Sequence, residues 1–148
     1  MQHEDYMRLA LELAGDAAAA GDVPVGCIIV APDGRIIGKG KNRREANCDA
    51  TAHAEVEAIR DANLALGTWR LNGCTMYVTL EPCPMCAGAI INSRISKLFY
   101  GSREDHSGSC GSVINLFMER YGHEPQIVGG ILDDECKAVM RDFFEKLR

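Results

Sequence analysis

Two stretches that lie far apart in the chain constrain its fold more than any other feature: Thr51-Ala52-His53-Ala54-Glu55 and Glu81-Pro82-Cys83-Pro84-Met85-Cys86. Together they read as His-x-Glu followed downstream by Pro-Cys-x-x-Cys, three soft-to-borderline metal ligands plus one carboxylate that is not needed as a ligand. Zinc in a catalytic site takes three protein ligands and keeps the fourth tetrahedral position for water, whose pKa falls to about 7. His53, Cys83 and Cys86 supply the three ligands for one Zn2+ per chain. Glu55, at a helix start, is placed to reach that water and move its proton. The run from Pro82 to Ile91 reads as a strand end entering a helix, and helix N-termini favour the thiolate form that zinc binds.

Each half of the motif has a plainer reading by itself. A lone Cys-x-x-Cys is also a redox pair, and a lone His is commonly a core residue. Structural zinc wants four ligands, often two Cys-x-x-Cys pairs, whereas this chain has one pair and five single cysteines, Cys27, Cys48, Cys74, Cys110 and Cys136. A zinc-stabilised binding module without catalysis leaves Glu55 without a role and the fourth position unused. The joint motif therefore points to catalytic zinc.

The pair of motifs is the established signature of zinc-dependent nucleobase deaminases, including the Glu that is not a ligand. Asp22-Val23-Pro24-Val25-Gly26, Thr51 to Glu55, Val78 to Ile90 and Ser93-Arg94-Ile95 resemble the bacterial tRNA adenosine deaminases that convert the wobble adenosine to inosine, over most of the chain from Asp5 to Phe144. The resemblance implies a three-layer α/β/α fold of the cytidine-deaminase type, with a five-stranded mixed sheet flanked by helices. It also implies a tRNA anticodon stem-loop as substrate and a homodimer. A deaminase of a free base or nucleoside, such as guanine or cytosine, shares the metal chemistry and is the nearest alternative.

Composition sets the frame. A chain of 148 residues, 47% hydrophobic and 25% charged, fits one domain over 1–148 with one core. No run approaches the roughly 20 apolar residues of a membrane helix, and the start lacks the order of a signal peptide, so the expected location is the cytosol. Seven cysteines, two of them committed to metal, fit a reducing compartment. A net charge of −5 and a pI near 5.3 weigh against a nucleic-acid partner. That objection yields if Arg43, Arg44, Arg94, Lys97, Arg103, Lys137, Arg141, Lys146 and Arg148 gather on one face.

Periodicity predicts a helix over 4–20 closed by Gly21, then a hairpin of strands 25–30 and 35–41 around Pro32-Asp33-Gly34. It predicts a loop over 42–48, a helix over 51–63 that contains His53 and Glu55, and a strand over 75–80. The Cys helix runs to about Asn92, followed by a strand over 97–100, a short helix over 114–121, a strand over 126–128 and a helix over 133–147. Strands alternating with helices from Thr75 onward indicate parallel pairing.

The resemblance assigns further roles. Val23 and Ala54 are expected at the base pocket, and Asn42, by composition a turn residue, matches the position of a purine-reading Asn. Loop 101–112 lies beyond a strand end, where ligands of α/β sheets tend to bind. There the chain departs from the family: Glu104 stands where an Asp commonly contacts the target sugar, Asp105 follows, and His106 replaces a frequent Lys. Phe144, in a helical aromatic pair with Phe143, is either core or a surface for base stacking.

Overall fold

In the computed structural model, described over residues 1–147, the chain forms a five-stranded sheet covered by helices on both faces. Arg148, counted above among the basic residues, lies outside the described residues. The elements in chain order are α1 (His3–Ala19), β1 (Gly26–Val30), β2 (Ile36–Lys41), α2 (Arg44–Asn47), α3 (Ala54–Leu66), β3 (Thr75–Leu80), α4 (Pro84–Ser93), β4 (Lys97–Ser102), β5 (Gln126–Val128) and α5 (Asp133–Lys146). A 3-10 turn at Leu116–Met118 precedes β5.

The strands lie in the order β2-β1-β3-β4-β5. β1 runs antiparallel to both β2 and β3, with Cys27 opposite Gly40 on one side and Val78 on the other. β3, β4 and β5 are parallel, with Tyr77 opposite Phe99 and Phe99 opposite Val128. This is the mixed five-stranded sheet expected from the sequence; in its parallel half β3 and β4 are joined through α4, and β4 and β5 through a long connection whose one helical element is the 3-10 turn.

Strand side chains alternate between faces, so the sheet builds two cores. On one face Cys27, Ile29, Met76, Val78 and Leu98 pack with Ala54, Ala58 and Ala62 of α3 and with Ala87, Ile90 and Ile91 of α4. On the other face Ile28, Val30, Tyr77 and Phe99 meet Tyr6, Met7 and Ala10 of α1 and Cys136 of α5. Tyr77 and Phe99 stack with centroids 5.2 Å apart, and His3 stacks on Phe99 at 4.3 Å.

The seating of α3 on the sheet bears directly on function. β2 presents Gly38 and Gly40 to α3, and a Cβ at Gly40 would overlap the Ala54 carbonyl oxygen and lie 2.6 Å from the Ala58 nitrogen. Glycine here lets two backbones approach. The close approach brings the N-terminus of α3, with His53 and Glu55, down onto the sheet.

Several boundaries differ from the sequence reading. The polar stretch expected as a loop over 42–48 contains the one-turn helix α2. The helix expected from Thr51 starts at Ala54, so His53 is its extended N-cap residue rather than a member of its first turn. Its hydrogen-bonded start is delayed because 49–52 is a tight turn held by Asp49, whose carboxylate accepts the Thr51 N–H at 2.8 Å and the Thr51 hydroxyl at 2.7 Å. The helix expected over 114–121 shrinks to three residues of 3-10 turn, capped by the Asn115 side chain on the Phe117 N–H. Only Phe117 of that turn is buried, too little apolar contact to extend it.

Candidate active site

The fold brings two helix N-termini to the same place. His53 caps α3, Cys83 caps α4 with Pro84 at its first position, and Cys86 follows in the first turn of α4. Proline is favoured there because its fixed φ suits a first turn and its missing N–H would have had no intrahelical partner. The His53 Nδ1 lies 3.7 Å from the Cys83 Sγ and 3.6 Å from the Cys86 Sγ. All three donor atoms fall within 4.8 Å of one another. A tetrahedral ion with bonds of roughly 2.0–2.3 Å to nitrogen and sulfur needs donor separations of roughly 3.5–3.8 Å. The donor set and its spacing thus fit zinc.

Burial and mutual contact shift the titrating groups of the cluster in different directions. Cys83 is drawn down to about 4, chiefly by the hydrogen bond it accepts from the Cys86 thiol and further by His53. Cys86, the donor of that pair and fully buried, moves in the opposite direction. His53 is raised, first by its hydrogen bond to Cys83. Glu55 is only 4% exposed, and burial pushes its carboxyl up to about 7, reinforced by the Cys83 sulfur and opposed by its own backbone N–H and His53. A carboxyl that titrates near neutrality is poised to take and release protons.

Three of these four groups line a cavity of about 550 Å³. His53, Glu55 and Cys83 line it, while Cys86 sits buried behind them. Of the residues expected to meet substrate, Val23, Asn42, Glu104 and Phe144 all line the cavity. Asn42 is buried, and its side-chain oxygen accepts the Ala54 N–H at 3.0 Å. Ala54 is fully buried and absent from the lining, so its part in the site is through this amide. Glu104 has one carboxylate oxygen engaged by the His106 N–H at 2.9 Å, and Asp105 lines the cavity beside it. Phe144 is 43% exposed, lines the cavity and packs perpendicular to Phe143 with centroids 5.3 Å apart.

Four of the basic residues listed from the sequence gather there: Arg44 from α2, Arg103 from the loop after β4, and Lys137 and Arg141 from α5. Lys137 pairs with Asp133 at 3.0 Å on the exposed face of the helix. The sequence reading named these residues without placing them, and it assigned nothing to Val25, Leu80, Glu81 or Met140, which also line the cavity. Glu81 had a visible signal, an acidic residue ending an apolar strand just before Pro-Cys.

Among the described residues no helix is long and apolar enough to cross a membrane. The model of the MafB19-like deaminase family matches residues 1–148. The chain is 45% identical over 148 residues to a tRNA-specific adenosine deaminase of Bacillus subtilis (strain 168), covering 99% of this chain and 91% of that one. It is 46% identical over 139 residues to a tRNA(Ile)-lysidine synthase of Deinococcus deserti, covering 94% of this chain but only 26% of the longer protein, so it spans about a quarter of that relative. A solved structure from a study of A-to-I editing by tRNA:A34 deaminases at the wobble position of transfer RNA superposes with a TM-score of 0.87, at 40% identity, covering 91% of this chain and 98% of that one. On the family match over its whole length and this identity to curated relatives, the chain belongs to the MafB19-like deaminase family.

Proposed function

We propose that the chain is a single-domain hydrolytic deaminase that converts adenosine to inosine at the wobble position of tRNA anticodon loops. The observation that carries this reading is the placement of a buried Glu55 carboxyl beside His53, Cys83 and Cys86, in a cavity ringed by Arg44, Arg103, Lys137 and Arg141. The kinship with a tRNA-specific adenosine deaminase at 45% identity supports the choice of substrate.

In this reading His53, Cys83 and Cys86 hold one zinc per subunit. Bound zinc supplies Lewis-acid activation of the attacking water. Glu55 would take one proton from that water and place it on the purine ring nitrogen, where inosine keeps it; as the water oxygen bonds to the amino-bearing ring carbon and the carbon–nitrogen bond breaks, Glu55 would pass the second water proton to the departing amino group, so that water and adenosine become inosine and ammonia. Asn42 presents its amide to the base edge, Val23 packs on the ring, and the Ala54 amide holds Asn42 in place. Glu104 with Asp105 faces the sugar, and Phe144 offers a stacking surface for a neighbouring base. The basic ring meets the phosphates of the loop, while the acidic remainder of the surface limits indiscriminate binding. A single-stranded loop already exposes its bases, which keeps the cost of extruding one small. Homodimerisation and a cytosolic location complete the proposal.

The test is to incubate zinc-loaded protein with an anticodon stem-loop bearing a wobble adenosine and, separately, with free guanine, cytosine and adenosine. Inosine in the RNA alone is the expected result. Ammonia from a free base with the RNA untouched would overturn the choice of substrate and keep the chemistry.

A further inference from the structure

Glu81 follows the last residue of β3, and its side chain has no part in the proton chemistry above. It is nevertheless 2% exposed, an unusual fate for a carboxylate outside an ion pair. Among the described residues none of the salt bridges includes it. Its partners are four donors from one loop. One carboxylate oxygen accepts the Glu104 N–H at 3.1 Å and the Ser112 hydroxyl. The other accepts the N–H groups of Cys110 at 2.9 Å and of Ser112 at 3.2 Å.

The same loop brings Arg103, Glu104, Asp105, His106 and Ser107 to the cavity. Arg103 is tied into the arrangement, since its Nε donates to the Ser112 oxygen at 3.0 Å. The chain is drawn tightly over the carboxylate. A Cβ at Gly108 would lie 2.6 Å from the Glu81 carboxyl carbon and would overlap the Glu104 carbonyl oxygen. The Ser109 N–H also donates to the Pro82 carbonyl at 2.8 Å, so the loop holds both residues that precede Cys83, Glu81 by its side chain and Pro82 by its carbonyl.

We propose that Glu81 is a positioning residue for substrate recognition: its carboxylate folds loop 103–112 over the end of the sheet and, through Ser112, aims Arg103 and Glu104 at the cavity mouth. The part concerning substrate rests on the deaminase reading above, whereas the anchoring of the loop does not. A carboxylate suits the task because it accepts on both oxygens, while a Gln amide turns an N–H donor toward some of the loop's own donors.

The experiment uses the zinc-loaded full chain and its Glu81→Gln and Ser112→Ala variants. Zinc content, amide hydrogen exchange and steady-state kinetics on a wobble-adenosine stem-loop are measured for each. In Glu81→Gln the zinc stoichiometry and the exchange of α3 and β3 amides stay at their wild-type values. Exchange at Glu104, Cys110 and Ser112 accelerates about tenfold or more, and KM rises about tenfold with kcat changed less than about threefold. Ser112→Ala shifts the same quantities the same way by less, and it carries the test if the Gln variant does not fold. Unchanged loop exchange would overturn the anchoring. Faster exchange with KM unaltered would overturn the link to substrate. If the wild-type chain leaves the stem-loop untouched, the functional reading fails by itself and exchange alone decides on the anchor.

Discussion

The side-chain oxygen of Asn42 accepts the backbone N–H of Ala54 at 3.0 Å, joining the residue that follows β2 to the first turn of α3. A backbone N–H needs an acceptor, so the contact orients the Asn side chain: its oxygen turns to the helix, and its amide nitrogen is left for the cavity that Asn42 lines. One side chain therefore holds the helix that starts beside His53 and presents a hydrogen-bond donor to whatever occupies the pocket.

That division of labour separates two substitutions. Asn42→Asp keeps an acceptor for Ala54 and loses the donor to the cavity, so kcat/KM on the stem-loop should fall about 10- to 100-fold with the melting temperature near wild type. Asn42→Ala strips the buried Ala54 N–H of its partner as well, and should also cost about 1–3 kcal/mol of stability. Kinetics together with thermal melts check both, and equal melting temperatures for the two variants would count against the contact.

Glu55 sets a pH dependence of stability in the metal-free protein. Its carboxyl is raised from an ordinary value of 4.5 to about 7 by burial. Below pH 4.5 it is protonated folded and unfolded, and no penalty arises. As pH climbs from 4.5 to 7 the unfolded chain releases the proton first, so stability drains away across that window and stays low above it, an effect on the order of 3 kcal/mol. Glu55→Gln removes the titration. Metal-free Glu55→Gln should therefore gain over wild type at pH 8 and match it at pH 4, as read by urea unfolding. The same substitution in zinc-loaded protein should retain the metal and lower turnover by at least about 100-fold.

Packing beneath the site gives a third outcome. Gly40→Ala puts a methyl group into the Ala54 carbonyl oxygen, so α3 has to move off β2 and carry His53 with it. Destabilisation on the order of 3 kcal/mol is expected, with zinc bound more weakly than in wild type. Chemical denaturation and metal titration measure the two effects, and unaltered zinc affinity would show that the helix start does not depend on this approach.

The basic mouth is measurable through salt. Lys137→Ala and Arg141→Ala should each weaken stem-loop binding and reduce the slope of log affinity against log salt by about one, leaving kcat near wild type. Filter binding over a range of salt concentrations tests this. Slopes identical to wild type would place the phosphates elsewhere.

Much of this site is legible in the chain because zinc chemistry depends on residue type and short spacing. His53, Glu55, Cys83 and Cys86 are recognisable as a set before any fold is known, and the strands at Thr75–Leu80 and Gln126–Val128 lie where periodicity puts them. Local pattern alone reads less well where a competing contact decides the outcome. The Asp49 turn delays the start of α3 past His53, and one buried phenylalanine is too little to draw 114–121 into a full helix.

The His-Cys-Cys donor set, the extra carboxylate and the alternation of strands and helices can all be read from the chain before folding, because they are consequences of composition and of spacings within a few residues. Tertiary structure decided what depends on distance between segments remote in the chain. It brought the N-termini of α3 and α4 together so that one imidazole faces two sulfurs, buried Glu55 enough to raise its carboxyl, and drew Arg44, Arg103, Lys137 and Arg141 from three elements to one mouth. It also turned Glu81 inward under a loop that begins some twenty residues later. Spacing within a helix or strand is set by the local backbone, whereas burial and long-range hydrogen bonding exist only once the sheet has closed the distances between its crossovers.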